Sequence, residues 1–300
     1  MEQQTVSKVT LTQKEAEEYC TYKRQKKISE IMAAMRRTES EVTANDSAVK
    51  LCEQAVRLRQ AAVKVSPADL MARGEVFIRS GVKIDCIVGG NGETFASVKA
   101  YEAKKALKAG AKEITLILTP SFLTNCRYTE LRKEIKKVRR AARRAVLKVR
   151  IEKNCPLASL ERLARICSEL GAQYFSLPYF AGCERLQAEC SRGCLLEVSG
   201  IESLPVFKEM AGAGMGRMIV KRAWELYSEW LKEVEQIVVE KVEQTPPAPI
   251  EDTVKKEEEK EKEEKDLPPK LPTLPLQTSP ASNPQTNYRC RLEGSDLKFL

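Results

Sequence analysis

The chain has 300 residues, enough for one barrel-sized domain with appendages, and 42% hydrophobic residues, enough for a core. No apolar run reaches the ~18 residues that span a bilayer, and the N-terminal stretch MEQQTVSKVTLTQKEAEEYC carries acids and no apolar segment of the secretory kind, so a cytoplasmic protein without a membrane is expected. There is no histidine, which excludes any mechanism that needs imidazole as acid, base or metal ligand. The net charge of +9 is uneven: residues 236–300 carry 13 acids against 10 bases, leaving +12 on the body.

The ten cysteines are scattered with no CxxC pair, which reads as reduced thiols, not a disulfide framework. Cys183, Cys190 and Cys194 are the weak metal reading. Their spacing is wrong for a zinc ribbon, so no metal and no cofactor are expected.

In chain order, residues 11–37 read as a helix, and Asn45 or Asp46 caps a second over about 46–59. Seven short apolar runs then alternate with amphipathic segments. The strands are expected at 61–65, 82–88, 113–119, 146–152, 173–177, 195–199 and 217–220. The helices are expected at 67–80, 95–109, 121–144, 157–170, 183–191 and 203–213. Gly81, Gly110, Gly171 and Gly214 stand where helices return to strands. Seven repeats with an eighth strand early or degenerate predict a TIM (β/α)8 barrel, an α/β fold.

A last helix is expected from Ala223 to about 242, with Trp224, Tyr227, Leu231, Val234 and Val238 as a stripe covering the barrel end, or else projecting to make a homo-oligomer. From 244 the composition turns to a charge run and then a Pro-rich stretch, expected to be disordered. Its end, NYRCRLEGSDLKFL, regains apolar residues and is a candidate docking peptide for a protein partner. The expected division is 1–44 N-terminal helices, 45–243 barrel and 244–300 tail.

Two motifs invite a ligand. GGNG at 89–92, between a strand and a helix, reads as a tight βα loop ahead of a phosphate cradle. LRKEIKKVRRAARR at 131–144 puts Arg132, Lys136, Arg139, Arg140 and Arg143, among others, on one helix with an apolar stripe opposite. With no aromatic residues interleaved, a solvated face is expected, and a nucleic-acid partner is not.

GVKIDCIVGGNGETFASVKAYEAKKALKAGAKEITLILT at 81–119, with CEQAVRLRQAAVKVSPADL before it and VLKVRIE, GAQYFSLPYF, LLEVSGIESL and GMGRMIVKRA after it, resembles the deoxyribose-phosphate aldolase family from about 45 to 222. The resemblance implies a class I aldolase barrel acting on a small phosphorylated sugar or aldehyde through a Schiff base. Yet the family's Schiff-base lysine falls on Ser176, its second lysine on Leu196 and its acid-base aspartate on Thr115. Its phosphate-binding run falls near Gly200, Lys221 and Arg222. None of the three catalytic replacements can form or tune an imine.

Two readings follow. The chain is a diverged barrel without class I aldolase activity, acting as a binding or scaffold protein. Alternatively it is a carbon–carbon lyase with a relocated lysine. Two lysines are candidates: Lys64, in a mid-strand position where the family has cysteine, with Asp85 or Glu152 as countercharge, and Lys221, near the C-terminal end of the last strand.

Overall fold

The computed structural model describes residues 13–43, 46–153, 155–191, 193–242 and 287–292. Residues 26–234 form one compact unit, and the described parts of 1–25 and 235–300 form another. Among the described residues no helix is long and apolar enough to cross a membrane.

The larger unit is a closed barrel of eight parallel strands in sequence order. They are β1 Thr38–Glu41, β2 Ala62–Val65, β3 Ile84–Val88, β4 Glu113–Ile117, β5 Val146–Arg150, β6 Tyr174–Pro178, β7 Leu195–Ile201 and β8 Arg217–Val220. β1 closes the ring by pairing with both β2 and β8. It is the early eighth strand, and it follows the helix expected at 11–37, within the 1–44 segment assigned to N-terminal helices.

Helix α1, Gln13–Met35, precedes β1, and its last turns bury Ile31, Ala34 and Met35. α2, Ala48–Arg57, is capped by Ser47 rather than Asn45 or Asp46. The Asp46 carboxylate instead accepts from the Thr43 amide at 2.7 Å. α3, Pro67–Ser80, follows the expected span, with Ser66 as cap and Pro67 in the first turn, where its missing N–H costs nothing. α4 is Ala96–Lys108.

The helix expected at 121–144 is broken into α5, Pro120–Thr124, and α6, Tyr128–Ala142, at a corner where Cys126 takes φ 52°. α7 is Leu157–Glu169. The next crossover, Cys183–Glu189, is a 3-10 turn, too short for the helix expected there. α8 is Leu204–Gly212 and α9 is Ala223–Glu235.

Outward strand residues such as Leu147, Val149, Phe175, Leu177 and Leu196 are fully buried under the helices. Each such side chain contributes roughly 1.5–3 kcal/mol by leaving water. α9 covers the barrel through Ala223, Leu226 and Val234, and Trp230 meets Phe207 of α8 edge-on at 5.8 Å. Of the expected stripe Val234 is buried, whereas Trp224, Tyr227 and Leu231 are half-buried, Ala223 and Leu226 taking the buried places in the first turns. The helix also stops before 242, because the β-branched run from Ile237 forms β9, Ile237–Val242.

β9 pairs antiparallel with β10, Asn287–Leu292, in the smaller unit, where Arg24 Nε donates to the Ile237 carbonyl at 2.9 Å. Residues 287–292 are thus a strand at the start of the candidate docking peptide. The charged and Pro-rich stretch expected to be disordered, with 293–300, lies outside the described residues. Cys20 is disulfide-bonded, against the expectation of reduced thiols throughout, while eight other cysteines are free.

Candidate functional site

Side chains alternate across a strand, so every second residue of each barrel strand points to the axis. In most barrels these positions are apolar. Here they carry Glu39, Lys64, Asp85, Glu113, Thr115, Lys148, Ser176, Glu197 and Arg217, all buried. The registers put Lys64 beside Asp85, Asp85 beside Glu113, Lys148 beside Thr115, Ser176 beside Glu197, and Glu197 beside Arg217.

Lys64 Nζ lies 3.0 Å from Glu197, 3.1 Å from Asp85 and 3.6 Å from Glu39, and donates to Thr115 Oγ1 at 3.1 Å. Lys148 Nζ touches four carboxylates: Glu113 at 2.9 Å, Asp85 at 3.0 Å, Glu197 at 3.1 Å, and Glu39. Arg217 closes the group against Glu39 at 3.3 Å and Glu113 at 3.2 Å. Tyr174 underlies it, its ring 5.1 Å from the Arg217 guanidinium and 5.5 Å from the Lys148 ammonium. Thr115 donates to Asp85, 2.8 Å from Oδ2.

Four carboxylates face three cations. For Glu39, Asp85 and Glu197 burial pushes the carboxyl up, and the nearby ammoniums pull it back. For Asp85, burial is outweighed by Lys148, Lys64 and two hydrogen bonds, and its pKa falls well below the usual range. For Glu197, burial is likewise outweighed by the two lysines, leaving it at about 2. For Glu39, burial wins over Lys148 and Lys64, with Glu197 and Asp85 adding repulsion, and the pKa rises to about 7. Among these three, Glu39 is the carboxyl whose pKa is raised, by burial. Both lysines move the other way: burial favours the neutral amine, but the surrounding carboxylates overcome it and hold Lys64, and more strongly Lys148, as ammonium.

One layer nearer the strands' C-terminal ends, Arg150 pairs with Glu41 at 3.1 Å and Glu152 at 2.9 Å. Glu152 is thus a mouth residue and not the partner of Lys64, because β5 ends at Arg150. Leu196 registers with Phe175 and points outward; the inward residue on β7 is its neighbour Glu197. Leu196, where the family's second lysine was expected to fall, thus does not face the axis. Gly200 sits at an irregularity of β7 with φ 79°, while Lys221 and Arg222 are exposed and face Glu202 at 3.6 Å and Glu229 at 3.8 Å, so no anion cradle is assembled among them.

Glu39, Asp85 and Glu113 are the grouping among the described residues whose carboxylate oxygens come close enough to share a metal ion. The Lys148 ammonium contacts all three and supplies the positive charge at that point. The residues therefore do not fit a metal. Cys183 faces Met210 at 3.8 Å, not a metal set with Cys190 and Cys194.

GGNG is a structural loop. The Gly89 amide donates to Glu102 at 2.7 Å, and the loop folds over the buried stem of Lys99. Lys99 Nζ donates to the Ile117 carbonyl at 2.9 Å and to Thr119 at 3.1 Å, and pairs with Glu134. Of the cluster, sequence reading found Lys64, Asp85, Thr115 and Ser176. It missed Glu39, Glu113, Lys148, Glu197 and Arg217, which carried the same signal: a charge at an inward position of an otherwise apolar strand.

No protein-family model matches the chain. It is 32% identical over 129 residues to the deoxyribose-phosphate aldolase of Actinobacillus succinogenes, covering 42% of this chain and 57% of that one. It is 31% identical over 134 residues to that of Mannheimia succiniciproducens, covering 44% and 59%. The chain thus spans under two thirds of the length of the curated relatives it matches. Its fold matches an aldolase structure described as QR15, with TM-score 0.60 and 23% identity, over 67% of this chain and 96% of that one. It also matches the tetrameric deoxyribose phosphate aldolase of Aeropyrum pernix, with TM-score 0.59 and 19% identity, over 69% and 96%. Over the matched segment the chain is thus similar in sequence to deoxyribose-phosphate aldolases, and its barrel has the fold of solved aldolase structures.

Proposed function

We propose that this barrel does not run class I aldol chemistry and that it acts as a binding or scaffold protein through its outer surface. One observation carries the reading: both inward lysines, Lys64 and Lys148, are fully buried and each contacts at least three carboxylates. An imine forms from a neutral amine that a carbonyl can reach. These amines are charged and enclosed. Ser176 and Thr115, at the family's catalytic positions, supply neither an amine nor an acid near neutrality.

The competing reading makes Lys64 a relocated nucleophile, since it does lie inside the barrel among carboxylates. Those same carboxylates raise its pKa, the opposite of what a nucleophilic lysine needs. Incubation of the whole chain with deoxyribose-5-phosphate or acetaldehyde under borohydride, followed by intact mass and peptide mapping, separates the two. No adduct and no turnover are expected. An adduct on Lys64, or cleavage at ~1 s⁻¹ or faster, overturns the reading.

A further inference from the structure

We propose that the outer face of α6, continued onto α7, binds the phosphate backbone of a nucleic acid without reading its bases. The proposal deepens the surface-binding reading above and rests on it. From sequence alone this run was expected to be a solvated face with no such partner. Three structural facts change that expectation.

First, the helix is fully segregated. Leu131, Glu134, Ile135, Val138, Ala141 and Ala142 are buried, while Lys133, Lys136, Lys137, Arg140, Arg143 and Arg144 are exposed. Of the two acids of α6, Glu134 is turned inward onto Lys99, and Glu130 in the first turn pairs with Arg127 at 3.0 Å. Among the described residues, none of those six exposed bases lies in an ion pair, whereas Arg132 is matched by Glu169 at 2.6 Å. Lys133 to Arg140 covers about 10 Å of helix axis. A duplex carries one phosphate charge per roughly 1.7 Å, so a linear polyanion matches this row, and a small anion would engage a fraction of it.

Second, the positive surface continues past α6. A cleft of about 310 Å³ between α6 and α7 is lined by Tyr128, Arg132, Arg162, Arg165 and Glu169. Arg132 and Arg165 have carboxylate partners, Glu169 and Glu189. Arg162 instead lies over the Tyr128 ring at 4.0 Å, exposed and in no ion pair among the described residues. The adjacent α4 adds exposed Lys104 and Lys108.

Third, the face lacks what a protein partner would use. Protein interfaces are enriched in aromatic residues and depleted in lysine. Here every apolar side chain of α6 between Leu131 and Ala142 is buried. Nor is there a platform for bases: one ring face of Tyr128 is taken by Arg162, and its hydroxyl is bonded to Ser159 at 3.0 Å. What remains is contact to phosphates, which positions a duplex without specifying its sequence.

The test is fluorescence anisotropy of the full chain with labelled mixed-sequence 24-bp RNA and DNA duplexes at 50–200 mM KCl. Binding is expected at 50 mM, with little dependence on sequence. The logarithm of affinity should fall linearly with the logarithm of salt, by about 0.9 for each phosphate neutralised. Lys133→Glu, Lys136→Glu, Lys137→Glu and Arg140→Glu together should weaken binding at least tenfold and flatten that slope. The same four positions as alanine should do so to a lesser degree. A control with the same charge change elsewhere, Lys26→Glu, Lys50→Glu, Arg57→Glu and Lys83→Glu, should stay within twofold of the unaltered chain. No salt-dependent binding at 50 mM, or equal loss in the control, overturns the proposal. Binding of polyglutamate but of neither duplex overturns it too and makes the occupant an acidic protein. Since borohydride trapping is read separately, failure here leaves the non-catalytic reading standing, and an adduct there leaves the binding result standing.

Discussion

Lys64 on β2 reaches across the barrel axis to Glu197 on β7, ammonium to carboxylate in 3.0 Å, with neither side chain exposed to solvent. β1 and β8 lie between these strands on the short way round the ring. The pair therefore ties opposite walls together and does not merely brace neighbours. Charges this deep are costly to bury singly and tolerable only as a set.

Lys64→Met should destabilise the barrel by about 3–5 kcal/mol, because it leaves Asp85 and Glu197 short of a cation. Adding Glu197→Gln to it should recover more than half of that loss. Urea denaturation of the three variants and the unaltered chain makes a double-mutant cycle. Simple additivity of the two substitutions would show that the residues do not act as a set.

Glu39 gives the cluster a pH dependence. Its folded pKa is about 7, above the ordinary carboxyl value, so the folded state holds a proton that the unfolded state releases. That contribution is complete below about pH 4.5 and is lost as pH rises to 7. Asp85 and Glu197 are depressed, so their contribution is present above the ordinary value and is lost as pH falls toward 2. Stability should therefore peak near pH 5 and decline by on the order of 3 kcal/mol toward pH 7.5. Glu39→Gln should abolish the decline, read as melting temperature against pH.

Seven of the eight strands were legible because each has an apolar run between turn signals. β1 was not, because TESE presents glutamates at both inward positions, Glu39 and Glu41, and has no apolar residue to mark it. The break at Cys126 was hidden by continuous helical periodicity from 121 to 144. Lys64 stood out as one charge in AVKV, and Asp85 as its neighbour. Lys148 and Arg150 alternate in VLKVR in the same way, within a run taken only as one of the seven apolar strands. A strand charged on its inward face makes sense only when seven others supply the countercharges, and that sum is visible only in the closed ring.

The buried Lys99–Glu134 pair should behave as a second, independent set. It lies between α4 and α6, where Lys99 also holds the carbonyl end of β4 through Ile117. Lys99→Met strands Glu134, whose pKa is already raised by burial against the pull of Lys99. A loss of about 3–5 kcal/mol is expected. Combined with Lys64→Met, the losses should add, since the two sets share no partner. Strong non-additivity in urea denaturation would mean that the helix layer and the barrel interior are one network.

Gly92 tests whether GGNG is structural. It has φ 88°, and a Cβ there would meet the Leu118 carbonyl oxygen at 2.5 Å and Pro120 at 2.8 Å. The backbone there is held: Leu118 N donates to the Arg150 carbonyl, and Thr119 Oγ1, between Leu118 and Pro120, donates to the Gly92 carbonyl. Gly92→Ala must therefore move backbone as well as adopt a left-handed conformation, and a loss of roughly 2–4 kcal/mol is expected. Gly90, two residues earlier, has φ 55° and open space around the added methyl. Gly90→Ala should cost only about 1 kcal/mol, the ordinary penalty for alanine in the left-handed region. The contrast is checked by thermal and urea unfolding of the two variants side by side. Equal, small effects would show that the loop is slack enough to yield, as a ligand-closing loop would be, and that its glycines are not there for close packing.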